Sequence, residues 1–352
     1  MNTTKNSRTT AKNKVERLDT QLKNAGRPTS RKQKENFYLK HDFISYLESK
    51  NLAPSSITHY VRELALFLAW IDKEEIQISK PDILKYLEHL KNKRNIANIS
   101  RSRILNALNH YFTFLMKNKQ ITQNPCSFLK IRGTQQKTLL RIYTTEELQT
   151  LYDNFYLLFV RNFDHNHIPK NQRKQATLSK ERNAVILNIL INQATTTAQI
   201  NTLELTDLDL MNATLKIRGG RKSNERILSL EATQIGVLMN YLQNIRPQLL
   251  EYHQNKEVEQ LFLTLPEFSK QKTESTNIMS VFKPLVKQLQ SLNKNFSSFT
   301  QIRASVITNW LKIYGLRKTQ IMAGHRYISS TEKYKANDLE SLINDIDKLH
   351  PF

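Results

Sequence analysis

A chain of 352 residues, 39% of them hydrophobic, has material for two domains but none for a membrane span. Its longest unbroken apolar run, Leu64 to Ile71, is far short of the roughly 20 residues a spanning helix needs. Lysine and arginine number 53 against 31 aspartate and glutamate, a formal charge of +22, which makes nucleic acid the expected partner because neutralised phosphates release their counterions. The single cysteine, Cys126, permits no intramolecular disulfide framework and no cysteine-cluster metal site. The seven glycines form no GxGxxG or GxxxxGK(S/T) loop, so no nucleotide cofactor is expected. The polar start Met-Asn-Thr-Thr-Lys has no apolar signal core, and with one cysteine it fits a cytoplasmic protein.

Residues 1–36 carry ten Lys/Arg against three acids and few apolar side chains, which predicts a flexible basic arm. Residues 37–120 read as four short amphipathic helices, a compact bundle. Phe43, Ile44 and Leu47 open the first, and Pro54-Ser55 starts a second with Ile57, Tyr60, Val61, Leu64, Phe67, Leu68 and Ile71 at helical spacing. Ser79-Lys80-Pro81-Asp82 is a capping sequence for the third, and Ser100 or Ser102 starts the fourth. Lys91, Lys93, Arg94, Arg101 and Arg103 gather on outer faces where helices end or begin, as contacts to a DNA backbone would. Ile121 to Pro125 closes the bundle. Residues 121–142, with Lys130, Arg132, Lys137 and Arg141, read as a basic linker, and Arg132 joins the DNA-contact candidates.

A second domain, 143–352, opens with a Thr144–Glu147 capping box. Arg161 to Lys180 is polar and reads as a loop, followed by a helix from Glu181 to Asn192. Leu215 to Arg218 and Arg226 to Leu230 alternate with period 2 around Gly219-Gly220-Arg221-Lys222, a hairpin with a basic tip. Helices resume over Ile278 to Leu289 and from Thr300 to Tyr314, the latter stopped by Gly315, and Leu339 to Leu349 forms a last amphipathic helix. The fold class is mainly α, with a small antiparallel sheet in the second domain.

Three residue types with one chemistry lie near the C-terminus. Arg303 opens a strongly apolar helix, His325 follows the helix-ending Gly324, and Tyr334 stands nine positions after His325. A phenol that attacks, a guanidinium that neutralises phosphate charge and an imidazole that donates a hydrogen bond or moves a proton suffice for phosphodiester transfer without a metal. The plain reading of the same residues is a helix-capping histidine and a surface tyrosine. The remaining histidines show no metal-ligand pattern.

Taken in order, these parts resemble the tyrosine recombinase (integrase) family over about residues 37–345. Asn124-Pro125 stands where members often carry that pair. Arg182 to Leu187 is similar to the helix before the first catalytic arginine, and Leu205-Thr206-Asp207-Leu208-Asp209 to the turn after it. Gly220-Arg221-Lys222 with Glu225-Arg226 matches the hairpin bearing the catalytic lysine, Arg303 the arginine of HxxR, and Gly324-His325 with Tyr334 the closing motif. The resemblance implies a core-binding bundle and a catalytic domain forming a C-shaped clamp around DNA. It also implies a 3′-phosphotyrosyl intermediate, made and resealed without metal or ATP, with catalytic residues Tyr334, Arg303, His325, Lys222 and Arg221 and a DNA-facing Arg218. Its partners would be a double-stranded recombination site and a tetramer assembled on DNA from monomers, through the docking helix at the C-terminus. The element served would be a mobile one.

Two positions depart from the family. Thr196 stands where the first arginine is expected, in Gln193-Ala194-Thr195-Thr196-Thr197-Ala198-Gln199, and Thr300 where HxxR has histidine. Either an arginine of the hairpin, Arg218 or Arg221, reaches the phosphate instead, or the chain only binds DNA. A relaxing enzyme of the type IB topoisomerase kind shares the chemistry and is a third alternative.

Overall fold

The computed structural model describes residues 42–133, 140–221, 223–267 and 271–335. The basic arm, Lys222 and the helix expected over Leu339 to Leu349 lie outside the described residues. The chain divides between residues 137 and 138 into two compact units.

In the first unit, α1 (residues 42–49), α2 (Pro54–Trp70), α3 (Lys80–Asn92) and α4 (Asn98–Lys117) enclose one core. The residues at helical spacing turn inward: Phe43 and Leu47, Leu64 and Phe67, Ile83 and Leu90, then Leu108, Phe112 and Leu115. Each such side chain contributes roughly 1.5–3 kcal/mol relative to exposure. Pro54 sits in the first turn of α2, where a missing N–H leaves nothing unsatisfied. At α3 the Ser79 backbone N–H and hydroxyl both donate to the Asp82 carboxylate, at 3.0 and 2.6 Å, and Lys73 pairs with it at 2.7 Å. Lys73, then Ser79, hold that carboxyl well below the usual range.

The fourth helix starts at Asn98, ahead of the serines expected to cap it. The Asn98 side chain is fixed on both sides, accepting from Arg101 Nη2 at 2.6 Å and donating to the Arg132 carbonyl at 2.9 Å. Arg101 is accordingly not on an outer face. It is buried, with Nη1 donating 3.3 Å to the Leu87 carbonyl, and it fastens the end of α3 to the start of α4. Lys91, Lys93, Arg94, Arg103 and Arg132 are exposed. Asn124 locks the exit of the bundle: its amide donates to Asn109 Oδ1 at 2.8 Å and Thr113 Oγ1 at 3.0 Å, and its carbonyl accepts from the Cys126 N–H. Cys126 is buried, and burial pushes its thiol up to about 12, so it is a small core residue.

The second unit contains α5 (Thr145–Tyr156), α6 (Arg173–Gln193), α7 (Thr197–Thr202), β1 (Leu208–Asp209), β2 (Thr214–Ile217), β3 (Arg226–Ser229), α8 (Ala232–Asn240), α9 (Arg246–Leu250), α10 (Met279–Leu292), α11 (Phe299–Ala323) and α12 (Ile328–Glu332). Its axis is α6, buried without interruption from Arg182 to Ile191 and packed by α5, α8, α9 and α11. A helix buried on every face belongs in the middle of a core, and its few polar members here, among them Arg182, find partners inside it. The helix begins at Arg173, two turns before the Glu181 start read from the sequence. Those polar turns still pack on one side, with Leu178 buried and Lys180 Nζ 3.2 Å from the centre of the Phe163 ring.

The Thr144 box forms as expected: Thr144 Oγ1 accepts from the Glu147 N–H at 3.2 Å, and the Glu147 carboxylate from the Thr144 N–H at 2.9 Å. The hairpin is also present, β2 against β3, and β1 adds a third antiparallel strand in the order β1-β2-β3. Leu215, Ile217 and Leu228 turn into the core, whereas Ile227 is 65% exposed. Arg226 sits at an inward position of β3, directly across from Ile217. Gly315 interrupts α11 with φ 71° and ψ 177°, a conformation open only to glycine. The chain then resumes helix up to Ala323.

Candidate active site

The end of α11 is built around Gly324, which takes the left-handed conformation (φ 68°) while its N–H and that of His325 bond back to the Ile321 and Gln320 carbonyls. A side chain here has no room either: a Cβ would lie 2.7 Å from Arg226 Nη1 and 2.9 Å from the Asn224 carbonyl oxygen. The returning arm of the hairpin closes against this turn, the Asn224 N–H donating to the Gly324 carbonyl at 2.9 Å and Ser223 bridging His325. Three distant segments therefore meet at His325.

Arg303, one turn into α11, donates through Nη1 to the Ala194 carbonyl at the end of α6. Its Nη2 donates to the Ala323 carbonyl at 2.9 Å and approaches His325 Nε2 at 3.3 Å. A guanidinium only donates, so Nε2 must accept; the neutral ring then carries its hydrogen on Nδ1 and gives it to Thr331 Oγ1, 2.9 Å away. Thr331 belongs to α12, fully buried, and three residues on the Tyr334 ring stacks on the imidazole with centroids 5.6 Å apart and planes 13° from parallel. The Tyr334 N–H closes that turn on the Thr331 carbonyl.

The pocket is electropositive and poor in counter-charge. Burial pushes the His325 imidazole down to about 4, helped by Arg303 and Arg226, so the ring is neutral at pH 7. Burial also lowers Arg303, against which the nearby Tyr334 hydroxyl works, and it pushes Arg226 down to about 9 with Arg303 adding to the effect. Arginine, imidazole and phenol thus converge on one site, with positive potential aimed where an anion would sit. Among the described residues no group of three or more His, Cys, Asp or Glu stands ready for a metal, and no helix is long and apolar enough to cross a membrane.

The other sequence candidates lie elsewhere. Arg218, at the end of β2, is spent on two carboxylates, Glu204 at 2.6 Å and the buried Asp207 at 2.8 Å, which raise it and bind the turn Leu205–Asp207 to the sheet. Arg221 is exposed on the hairpin tip. Thr196, in the expected place of an arginine, is the N-cap of α7: its hydroxyl accepts from the Gln199 N–H at 3.2 Å and the Gln199 side chain returns the bond at 3.0 Å. Thr300 is exposed. Two neighbours of the site were not singled out from the sequence. Thr331 carries no signal there beyond its place between His325 and Tyr334. The inward position of Arg226 is legible in the alternation of Arg226, Leu228 and Leu230.

Two family descriptions match the chain, "Phage integrase, N-terminal SAM-like domain" over residues 39–122 and "Phage integrase family" over residues 160–340. The chain belongs to the phage integrase family, the tyrosine-type enzymes of site-specific DNA strand exchange. It is 25% identical over 323 residues to tyrosine recombinase XerC of Pelotomaculum thermopropionicum, covering 88% of this chain and 97% of that one. Over 317 residues it is 22% identical to the TnP I resolvase of Bacillus thuringiensis, covering 87% and 98%. In fold it is similar to a lambda integrase dimer bound to a core site (TM-score 0.57, 11% identity, 86% of this chain and 95% of that one). The Tn1549 transposon integrase with a circular intermediate DNA is similar too (TM-score 0.56, 11% identity, 84% and 94%).

Proposed function

We propose that this protein recombines DNA at specific sites through Tyr334, as the integrase or transposase of a mobile element. The observation that carries the reading is the convergence of Arg303, His325 and Tyr334, from the two ends of α11 and from just past α12, into one electropositive site. Tyr334 Oη forms a bond to the scissile phosphorus as the bond to the 5′ oxygen breaks, leaving a 3′-phosphotyrosyl link and a free 5′ end. The phenol gives its proton up to water as it attacks, and the leaving 5′ oxygen takes one from the hairpin, the role the family resemblance gives Lys222, with Arg221 beside it. Arg303 holds the non-bridging oxygens and stabilises the charge of the five-coordinate transition state. His325 orders the phosphate and Tyr334 together. Because the phosphotyrosyl bond conserves the energy of the one it replaces, resealing needs no external energy source. Lys91, Lys93, Arg94, Arg103 and Arg132 are exposed and suited to the DNA backbone, whereas Arg101 supports the bundle.

The names of the transposon integrase and the resolvase support the mobile-element assignment. With it go a cytoplasmic location, a monomer free in solution and a tetramer assembled on two DNA sites. The second reading, a DNA-binding protein without catalysis, is favoured by one observation: Thr196 is a helix cap where the family has a phosphate-binding arginine. Incubating wild type and Tyr334→Phe with nicked duplexes carrying the bound sequence separates the two. Wild type is expected to form a covalent protein–DNA adduct stable to denaturant, and Tyr334→Phe none. Binding without an adduct by wild type leaves the DNA-binding reading standing.

A further inference from the structure

Three buried arginines in the second unit allow a comparison within one molecule. Arg182 spends its donors on the Leu263 carbonyl at 2.8 Å, Asn183 Oδ1 and Ser179 Oγ. Arg246 gives its donors to the carbonyls of Val258, Gln260 and Leu261. Both are structural arginines with their hydrogen bonds satisfied. Arg226 is as deeply enclosed, at 4% exposure, yet its Nε and Nη1 have no hydrogen-bond partner among the described residues. Nη2 reaches only Gln199 Oε1, at 3.5 Å. No carboxylate among the described residues pairs with it. Burying an unpaired charge costs several kcal/mol, so a folded protein keeps one where a counter-charge arrives later.

The position of that guanidinium says what the counter-charge is. Nη1 lies against the Gly324 backbone, one residue from His325. Arg303 acts on it, and it acts in turn, together with Arg303, on the His325 imidazole. Its other end points to Gln199, three residues beyond Thr196 and in the same capping box. The two hairpin arginines considered from the sequence do not serve: Arg218 is neutralised by Glu204 and Asp207, and Arg221 is exposed at the tip.

We propose that Arg226, from the first position of β3, binds the non-bridging oxygens of the scissile phosphate together with Arg303, in the place left by Thr196. The proposal rests on the reading of Tyr334 as the nucleophile. Its unused Nε and Nη1 lie on different edges of the guanidinium, and each leaves a donor from which a phosphate oxygen can accept. Gly324 is then required twice, for its left-handed turn and for the space the arginine occupies.

The test uses the full chain. Duplexes recovered by wild type from a randomised pool are rebuilt with a nick, in one series with an ordinary scissile phosphate and in the other with a neutral methylphosphonate. Arg226→Gln is expected to form the covalent adduct at least ~100-fold more slowly than wild type on the phosphate, as for loss of an oxyanion donor. On the methylphosphonate, where the charge to be neutralised is gone, the deficit should shrink to less than about tenfold on the same reasoning. Arg226→Lys keeps the charge without the fork and should fall between the two; it carries the comparison if Arg226→Gln does not fold. Equal losses on both substrates would mark Arg226 as structural and overturn the proposal, as would a variant that matches wild type. A wild type that binds both substrates but links to neither overturns the Tyr334 reading and this proposal with it. That failure shows in the wild-type lane, before any Arg226 variant is compared.

Discussion

His325 enters the folded state as a neutral ring, and this has a measurable consequence. Its imidazole titrates near 4 instead of near ~6.5, so between those values the unfolded chain binds the proton more readily than the folded one. The contribution of His325 to stability is therefore complete above pH 6.5, falls with decreasing pH and is lost by about pH 4. Urea midpoints of His325→Gln should fall less steeply across this window than those of wild type. Burial also lowers His110 and His253, so the slope should diminish without vanishing. A variant whose midpoints track wild type at every pH would contradict the electropositive pocket.

At the scale of elements, the site depends on how α11 is interrupted. Arg303 lies in its first half and the turn to His325 follows its second, so the break at Gly315 sets the angle between the segments that carry these two residues. Nothing lies within 4 Å of a Cβ added at Gly315, so Gly315→Ala should destabilise through backbone strain alone, by about 1–3 kcal/mol. Gly236 in the middle of α8 is the control. It has equal space and helical geometry, and Gly236→Ala should stabilise by about 0.5–1 kcal/mol. Opposite shifts of the thermal midpoint are the expected result; two shifts of the same sign would mean that Gly315 has no conformational role.

Much at this scale was legible from local rules. The Ser79 and Thr144 boxes and the hairpin each depend on residues a few positions apart and formed as read, while Gly315 breaks α11 but the helix resumes beyond it. The early part of α6 and the start of α4 were not, because there the stabilising partners, Phe163 and Arg132, are supplied by other parts of the chain.

For the whole molecule, the excess of 22 positive charges predicts binding to duplex DNA that weakens steeply with salt. Each phosphate contact adds about 0.9 to the slope of log affinity against log salt. Replacing exposed Lys91, Lys93 and Arg94 by glutamine should lower that slope by up to about 3 while leaving the urea midpoint nearly unchanged. Arg101→Gln should do the reverse, because its guanidinium joins α3 to α4 inside the bundle. A slope that drops with Arg101→Gln and not with the triple variant would invert the assignment of these basic residues.

The sequence by itself pointed to nucleic acid as the class of partner and singled out Arg303, His325 and Tyr334. Charge sums over the chain, helical periodicity is local, and the closing motif lies within nine residues. Only the tertiary structure decided which arginines are paired with carboxylates and which are not. Arg218 and Arg226 lie eight positions apart on one hairpin with the same side chain, yet Glu204 and Asp207 neutralise the first while the second is enclosed beside Arg303 and His325 with no carboxylate partner among the described residues. The partners of a charge come from segments distant in the chain, and what surrounds a guanidinium, not its presence, determines whether it is free to bind phosphate.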